Sequence, residues 1–301
     1  MNIIKFRKVW ILISIAMVVV SIPLIFIFKP TLGIDFTGGT LIELKPKSQI
    51  SAEQMRSKIQ AFSQKRTLII QESGQNQYVI RTNNLDANEY KDFENKLNLA
   101  LDNPDILRHE AIGGSVGKAT TRNAIYAIII AGFLIICYLA AAFRKVPKSV
   151  SPWAFGTIAF VTLIHDLSFS FAVFSVIGKI NGYELDSTIL VAALTILGFS
   201  VHDTIVVFDR IRENIIKNPQ RVFSENCEIS INQTIARSLN TSLGAILVLI
   251  SMLLLGGSTI KPFVLMLALG IGIGTYSSIF VASPVLVIYH SYINKRTQKG
   301  S

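Results

Sequence analysis

The chain has 301 residues, 50% of them hydrophobic and only 16% charged, with a mean hydropathy of +0.49. Those figures exclude disordered, collagenous and ordinary soluble proteins. Lys plus Arg is 29 against 19 Asp plus Glu, a net charge of +10 that suits a nucleic-acid binder, an acidic membrane surface or the orientation bias of a membrane protein.

In chain order, residues 9–28 read VWILISIAMVVVSIPLIFIF, apolar or small throughout and uncharged. A helix of that length crosses about 30 Å of hydrocarbon. Lys5, Arg7 and Lys8 precede the run as in a signal peptide, but its apolar core is too long and no A-x-A-like site follows, so a retained span is expected. Next, TLIEL at 40–44 alternates like a strand, and residues 51–64 open on the capping Ser51 and place Met55, Ile59 and Phe62 at helical spacing. LII at 68–70 and YVI at 78–80, parted by Ser73, Gly74 and Asn76, read as a hairpin. Asp86 caps a second helix that buries Tyr90, Phe93, Leu97 and Leu101 and stops at Asn103 and Pro104, before a last strand near 106–112. The order β-α-β-β-α-β is that of a ferredoxin-like domain, whose sheet edge or open face suits an extended peptide.

Five further apolar runs follow at about 124–143, 151–178, 187–208, 231–256 and 262–289. The fold class expected is therefore an α-helical polytopic membrane protein, six spans with a ferredoxin-like α+β domain between the first and second. Basic residues cluster before the first span and after the second, fourth and sixth, at Arg144, Lys145 and Lys148, at Arg210, Arg212, Lys217 and Arg221, and at Lys295, Arg296 and Lys299. The other short connections hold only Lys179 and Lys261, so the positive-inside rule puts both termini in the cytoplasm. This accounts for the net charge, and no basic stripe interleaved with aromatics points to nucleic acid. The division expected is 1–28 for the cytoplasmic start and first span, 29–123 outside the membrane, 124–290 for five spans with a cytoplasmic loop at 209–230, and 291–301 for a cytoplasmic tail.

Several motifs fail. GGSVGK at 113–118 would need glycine at Ile112 and Ser or Thr at Ala119 to be a phosphate loop. GIGIG at 270–274 lies in an apolar span, where Gly270, Gly274, Ser278 and Ala282 instead recur every four residues as a smooth packing seam. Cys137 and Cys227 form neither a disulfide framework nor a zinc site. With no Ser-His-Asp order and no HExxH, neither an enzyme, a metal nor a cofactor is expected.

GIDFTGGTLIEL at 33–44 is hard to explain by composition. Together with VG at 116–117, IHD at 164–166, GFSVHDTIVVFDRIREN at 198–214 and ARSLNTS at 236–242, it resembles the protein-export membrane proteins SecD and SecF, and the last two segments look like SecF. The match follows the whole chain in order. It implies the resistance-nodulation-division superfamily, the bacterial inner membrane, a SecD-like six-span partner, the SecYEG channel and a translocating preprotein. It also implies a signature or hinge at Asp35, Gly38 and Gly39. Where many members carry Asn, this chain has His202.

Asp203 lies about 10 Å deeper than an interfacial Arg210 at 1.5 Å per residue. A carboxylate there needs a cation or a proton, and Arg237 at the start of the fifth apolar run is the expected cation, with Asn240, Thr241 and Ser242 as hydrogen-bonding groups. From chemistry alone a permanent ion pair and a proton carrier are both open. The resemblance implies the second for Asp203 and Arg237. His165 and Asp166, mid-span, are secondary polar candidates, and a satisfied interhelical hydrogen bond is the plain reading of His165. Adjacent residues point about 100° apart, so these two are not expected to face one partner squarely, and Asp166 is expected at a different depth from Asp203. Asp209, Arg210, Arg212 and Glu213 read as a solvated collar. The function implied is proton-driven protein export; a proton-driven small-solute exporter and a passive scaffold of the channel are the rivals.

Overall fold

The computed structural model describes residues 2–62, 68–74, 76–144, 151–257 and 259–299, and the chain divides into two compact units. Lys145, Lys148 and the end of the helix expected at 51–64 lie outside the described residues.

One unit comprises residues 30–126 and 178–190. Its four strands are β1 (Gly39–Lys45), β2 (Ile69–Gly74), β3 (Gln77–Thr82) and β4 (Asp105–Ile112), paired antiparallel in the order β2-β3-β1-β4. Helix α1 (Arg7–Phe28) and the short α2 (Ile34–Thr37) precede the sheet; α3 (Ala52–Gln60) and α4 (Ala87–Leu101) cross over within it. That is the ferredoxin-like order. Both crossover helices start on a complete capping box, Ser51 with Gln54 and Asp86 with Glu89, which satisfies two otherwise unpaired N–H groups each. Period two in β1 and β3 turns Ile42, Leu44, Tyr78 and Ile80 to one face, where Met55, Ile59, Phe93 and Leu97 cover them. A bulge between Glu43 and Leu44 leaves Leu107 without a partner in the register and half exposed. Burial, with Glu72 adding to it, holds the Tyr78 hydroxyl above its ordinary value, and that hydroxyl donates to the Ile50 carbonyl.

The opposite face meets residues 178–190. Gly182 comes over the Gln71 side chain, and Glu184 pairs with Arg81. Burial lowers Arg81 to about 10, against the pull of Asp186, which favours the charge. Thr31 and Gly33 exchange backbone bonds with Leu185 at 2.9 and 2.6 Å.

The other unit, residues 1–29, 127–177 and 191–301, holds most of the length of the membrane-crossing segments. Six are long and apolar enough to span: Ile4–Phe28, Gly114–Ala142, Pro152–Asn181, Ser187–Lys217, Phe223–Leu255 and Lys261–Lys295. They coincide with the six apolar runs. Their helices beyond α1 are α5 (Gly114–Ala142), α6 (Pro152–Asn181), α7 (Ser187–Lys217), α8 (Phe223–Leu255), α9 (Lys261–Ser277) and α10 (Ser283–Lys299). Helix α5 starts ten residues before its uncharged run, because Gly114 and Gly117 allow it to begin against the backbone of Phe36 and Gly38. One core cluster centres on Phe143, Phe155 and Phe208, whose rings meet at 4.8, 5.2 and 6.2 Å. The Glu228 carboxylate accepts the backbone N–H groups of Ile3 and Ile4 at 2.8 and 2.6 Å and so holds the chain start in that cluster.

Between α9 and α10 the helix widens to a π-turn over Ser278–Ala282. Pro284 explains it: proline has no N–H for the carbonyl four residues back, and its ring would strike that carbonyl, so the extra width relieves both.

Candidate functional site: two carboxylates inside the helical bundle

The site begins with the way α7 and α9 pack. A Cβ built on Gly270 would lie 2.2 Å from Ile196 Cδ1, and one on Gly274 3.0 Å from Ser200 Cβ. The sequence offset is the same at both contacts, so the two helices run side by side in register. Glycine at these two positions lets polar groups of α7 and α9 approach one another. Ser278 and Ala282, the rest of the expected seam, are also fully buried but fall in the π-turn, so the four-residue stripe does not continue as one straight α-helical face.

Asp203 on α7 is 2% exposed. Its Oδ2 accepts from Ser242 Oγ of α8 at 3.1 Å and from Thr275 Oγ1 of α9 at 3.4 Å. Each hydroxyl has one proton and more than one acceptor in reach. Ser242 also lies 3.0 Å from the Ser238 carbonyl; Thr275 also lies 2.6 Å from Ser242 Oγ and 2.9 Å from the Ile271 carbonyl. A charged Asp203 draws these protons to itself. A protonated Asp203 leaves them to the helix carbonyls, so the network has two satisfied arrangements at little cost.

The expected ion pair with Arg237 is not formed. Among the described residues no salt bridge joins Arg237 to Asp203, and Arg237 is exposed. The reason is helical periodicity. Ser230, Thr234, Ser238 and Ser242 recur every fourth residue of α8 as its buried row, and Arg237 stands about 100° from Ser238. Asn240 and Thr241 are exposed as well, leaving Ser242 as the one expected hydrogen-bonding group that reaches the acid. The ionisable side chain beside Asp203 is His202, its Nδ1 3.7 Å from Oδ1 on a side chain 61% exposed.

Asp166 on α6 is wholly buried. Its Oδ2 accepts from Ser200 Oγ of α7 at 2.6 Å and Ser277 Oγ of α9 at 2.8 Å, while Oδ1 lies 2.9 Å from His165 Nδ1. The adjacent pair thus bond to each other, and among the described residues the hydrogen bonds from this pair to other helices are those of Asp166. With α7 and α9 in register, its partners Ser200 and Ser277 bracket the level of Thr275. Asp166 and Asp203 therefore sit at about the same depth on opposite sides of the α7–α9 pair, not at successive depths.

Sequence reasoning passed over Ser200, Thr275 and Ser277. The available signal was their setting: small hydroxyl residues within a turn of Asp203 or of the glycines that bring α7 and α9 together.

The signature residues lie in the other unit. Asp35 Oδ2 accepts the N–H of Ser187, the first residue of α7, at 2.7 Å. Gly38 has φ +73° and Gly39 φ +140°, conformations that glycine adopts freely. Near the other end of α7, Arg210 bonds Glu213 and Gln233, and Arg212 pairs with Asp209, a partly exposed charged network.

Two family descriptions match: Protein export membrane protein SecD/SecF, C-terminal, over residues 92–292, and SecD/SecF GG Motif over residues 24–50. The protein translocase subunit SecF of Thermobaculum terrenum is 36% identical, the alignment covering 96% of this chain and 94% of that one. The protein translocase subunit SecDF of Thermus thermophilus is 31% identical over 89% of this chain but only 35% of its own length. A crystal structure of SecDF from Thermus thermophilus, a translocon-associated membrane protein, matches with a TM-score of 0.83 at 29% identity, covering 97% of this chain and 39% of that one. With both motifs in place and relatives matched along nearly their whole length, the chain belongs to the SecD/SecF family of protein-export membrane proteins, and its relatives of similar length are SecF subunits.

Proposed function

We propose that this chain is the SecF half of a proton-driven accessory unit of the Sec translocase, set in the cytoplasmic membrane with both termini inside. The observation that carries the reading is Asp203, a buried carboxylate held by hydroxyls of two other helices with no Arg or Lys among its described partners. A fixed ion pair would call for a permanent cation; a group that gains and loses a proton calls for neutral partners that can rearrange. In this reading a proton entering the site uncouples Asp203 from Ser242 and Thr275, α8 shifts against α7 and α9, and the outside domain pulls or holds an emerging preprotein.

Arg237 takes a different place from the one expected. On an exposed part of α8 beside Asn240 and Thr241, it suits an interface with a second six-span subunit, a SecD-like partner, better than lipid. The SecDF relative, of which this chain matches about a third, supports that partner. The SecYEG channel completes the assembly.

The test is export into inverted membrane vesicles that carry the complete complex, with the proton and sodium gradients collapsed separately. Export should fall when the proton gradient is removed and hold when only sodium is dissipated. Export indifferent to both gradients would favour a passive scaffold; gradient-driven efflux of a small solute with export unchanged would favour the exporter.

A further inference from the structure

The six-helix unit contains a second buried acid that this reading does not use. Asp166 joins α6 to α7 through Ser200 and to α9 through Ser277, just as Asp203 joins α7 to α8 and α9. The α7–α9 pair is thus a hub with one carboxylate clasp on each side. Ser277 has the same choice as the hydroxyls around Asp203, since its Oγ lies 2.8 Å from Asp166 Oδ2 and 3.0 Å from the Gly274 carbonyl.

His165 distinguishes the second clasp. It is 4% exposed, its Nδ1 meets Asp166 Oδ1, and its Nε2 is buried with no hydrogen-bond partner among the described residues. A permanent structural histidine would have both ring nitrogens satisfied. From α7 and α9 the groups facing Asp166 are Ser200 and Ser277, which do not titrate; the titratable residues within a turn of Ser200 on α7 are Asp203 and the largely exposed His202. The contacts of α5 with α6 in this region are apolar, through Ala131, Ile135 and Gly132 against Phe160.

We propose that His165 and Asp166 form a second proton-binding site that clasps α6 to the hub and takes up one proton in alternation with Asp203. With one proton the His–Asp pair is neutral overall, whether written as imidazolium and carboxylate or as imidazole and acid. Loss of that proton leaves one negative charge in apolar surroundings. Taken as one interhelical spacing apart, about 10 Å, two like charges at an effective dielectric near 20 repel enough to move a proton-binding midpoint by about one pH unit. Charging one clasp therefore favours protonation of the other, and α6 and α8 loosen in turn. The alternation rests on the proton-driven reading given above; the existence of the site does not.

The test is infrared difference spectroscopy of the full-length protein in lipid nanodiscs, between about pH 9 and about pH 5. In an Asp203→Asn background, a titrating band should still appear as pH falls, a protonated-carboxyl band if the proton rests on Asp166 or an imidazolium band if it rests on His165, and adding Asp166→Asn should remove or shift it. His165→Gln should shift its midpoint. Restoring Asp203 should move the Asp166 midpoint by about one pH unit. Should Asp166→Asn fail to fold, Ser277→Ala keeps the acid and should shift the band frequency instead. A band that no Asp166, His165 or Ser277 variant alters, or no titrating band in the Asp203→Asn background, overturns the proposal. Neither outcome depends on export, so failure here is distinct from failure of the translocase reading.

Discussion

Asp203→Asn should reduce export to its gradient-independent level while leaving the helices inserted and assembled. The amide has nearly the shape of the protonated acid and leaves Ser242 and Thr275 their helix-carbonyl partners, so α7, α8 and α9 still assemble, in the arrangement that protonated Asp203 adopts. It cannot bind and release a proton. The variant therefore resembles the protonated state permanently, and a gradient has nothing to act on. The size of the loss follows from the driving force. A membrane potential supplies about 2.3 kcal/mol per charge per 100 mV, which biases a two-state equilibrium by about 50-fold. That is the scale of stimulation that the variant should forfeit. Ser242→Ala retains the acid and removes one hydrogen bond to it, about 1.5 kcal/mol or more for a charged acceptor, so it should weaken stimulation by roughly tenfold without abolishing it. Export rates in vesicles, normalised to inserted protein, check both.

The second large effect is on folding. Gly38→Ala should destabilise the detergent-solubilised protein by about 4 kcal/mol. A side chain at φ +73° costs about 1–3 kcal/mol. The new Cβ would also lie 2.7 Å from the Cα and 2.9 Å from the N of Gly114, main-chain atoms that cannot swing aside, and overpacking of that kind adds about 1–3 kcal/mol. Gly114→Ala is the matched control at the same contact. Its Cβ would meet nothing within 4 Å, so it should be tolerated. Thermal unfolding midpoints and expression yields of the two variants measure the difference; equal stability would remove the steric account of the signature glycines.

The fold was legible wherever one signal dominated. Long apolar runs marked six spans because an exposed backbone cannot cross lipid, and period two followed by a capping Ser51 or Asp86 located β1, α3 and α4 within a few residues. The π-turn was legible only in hindsight, from Pro284. For the site, charge was a sound guide to the groups that matter and a poor guide to their partners. Asp203 and Asp166 stand out from their apolar neighbours, and both prove to be buried. Arg237 stands out equally, yet the register of α8 faces serines and a threonine inward and turns the arginine away. An ion pair needs both a matching depth and a matching helix face, and sequence separation gives only the first. The hydroxyls that hold the two acids carry no charge and disturb hydropathy little, so they are visible only once α7 and α9 are placed side by side.

The central claim is that a proton on Asp203 sets the spacing of α8 from the α7–α9 pair. The most direct measurement is the distance between spin labels at Val191 on α7 and Leu243 on α8, both exposed, with Cys137 and Cys227 replaced by alanine. In the otherwise unmodified protein the distance distribution should change between high and low pH. Asp203→Asn should hold the low-pH distribution at both. A distribution that ignores pH with Asp203 in place, or one that still shifts without it, would contradict the account.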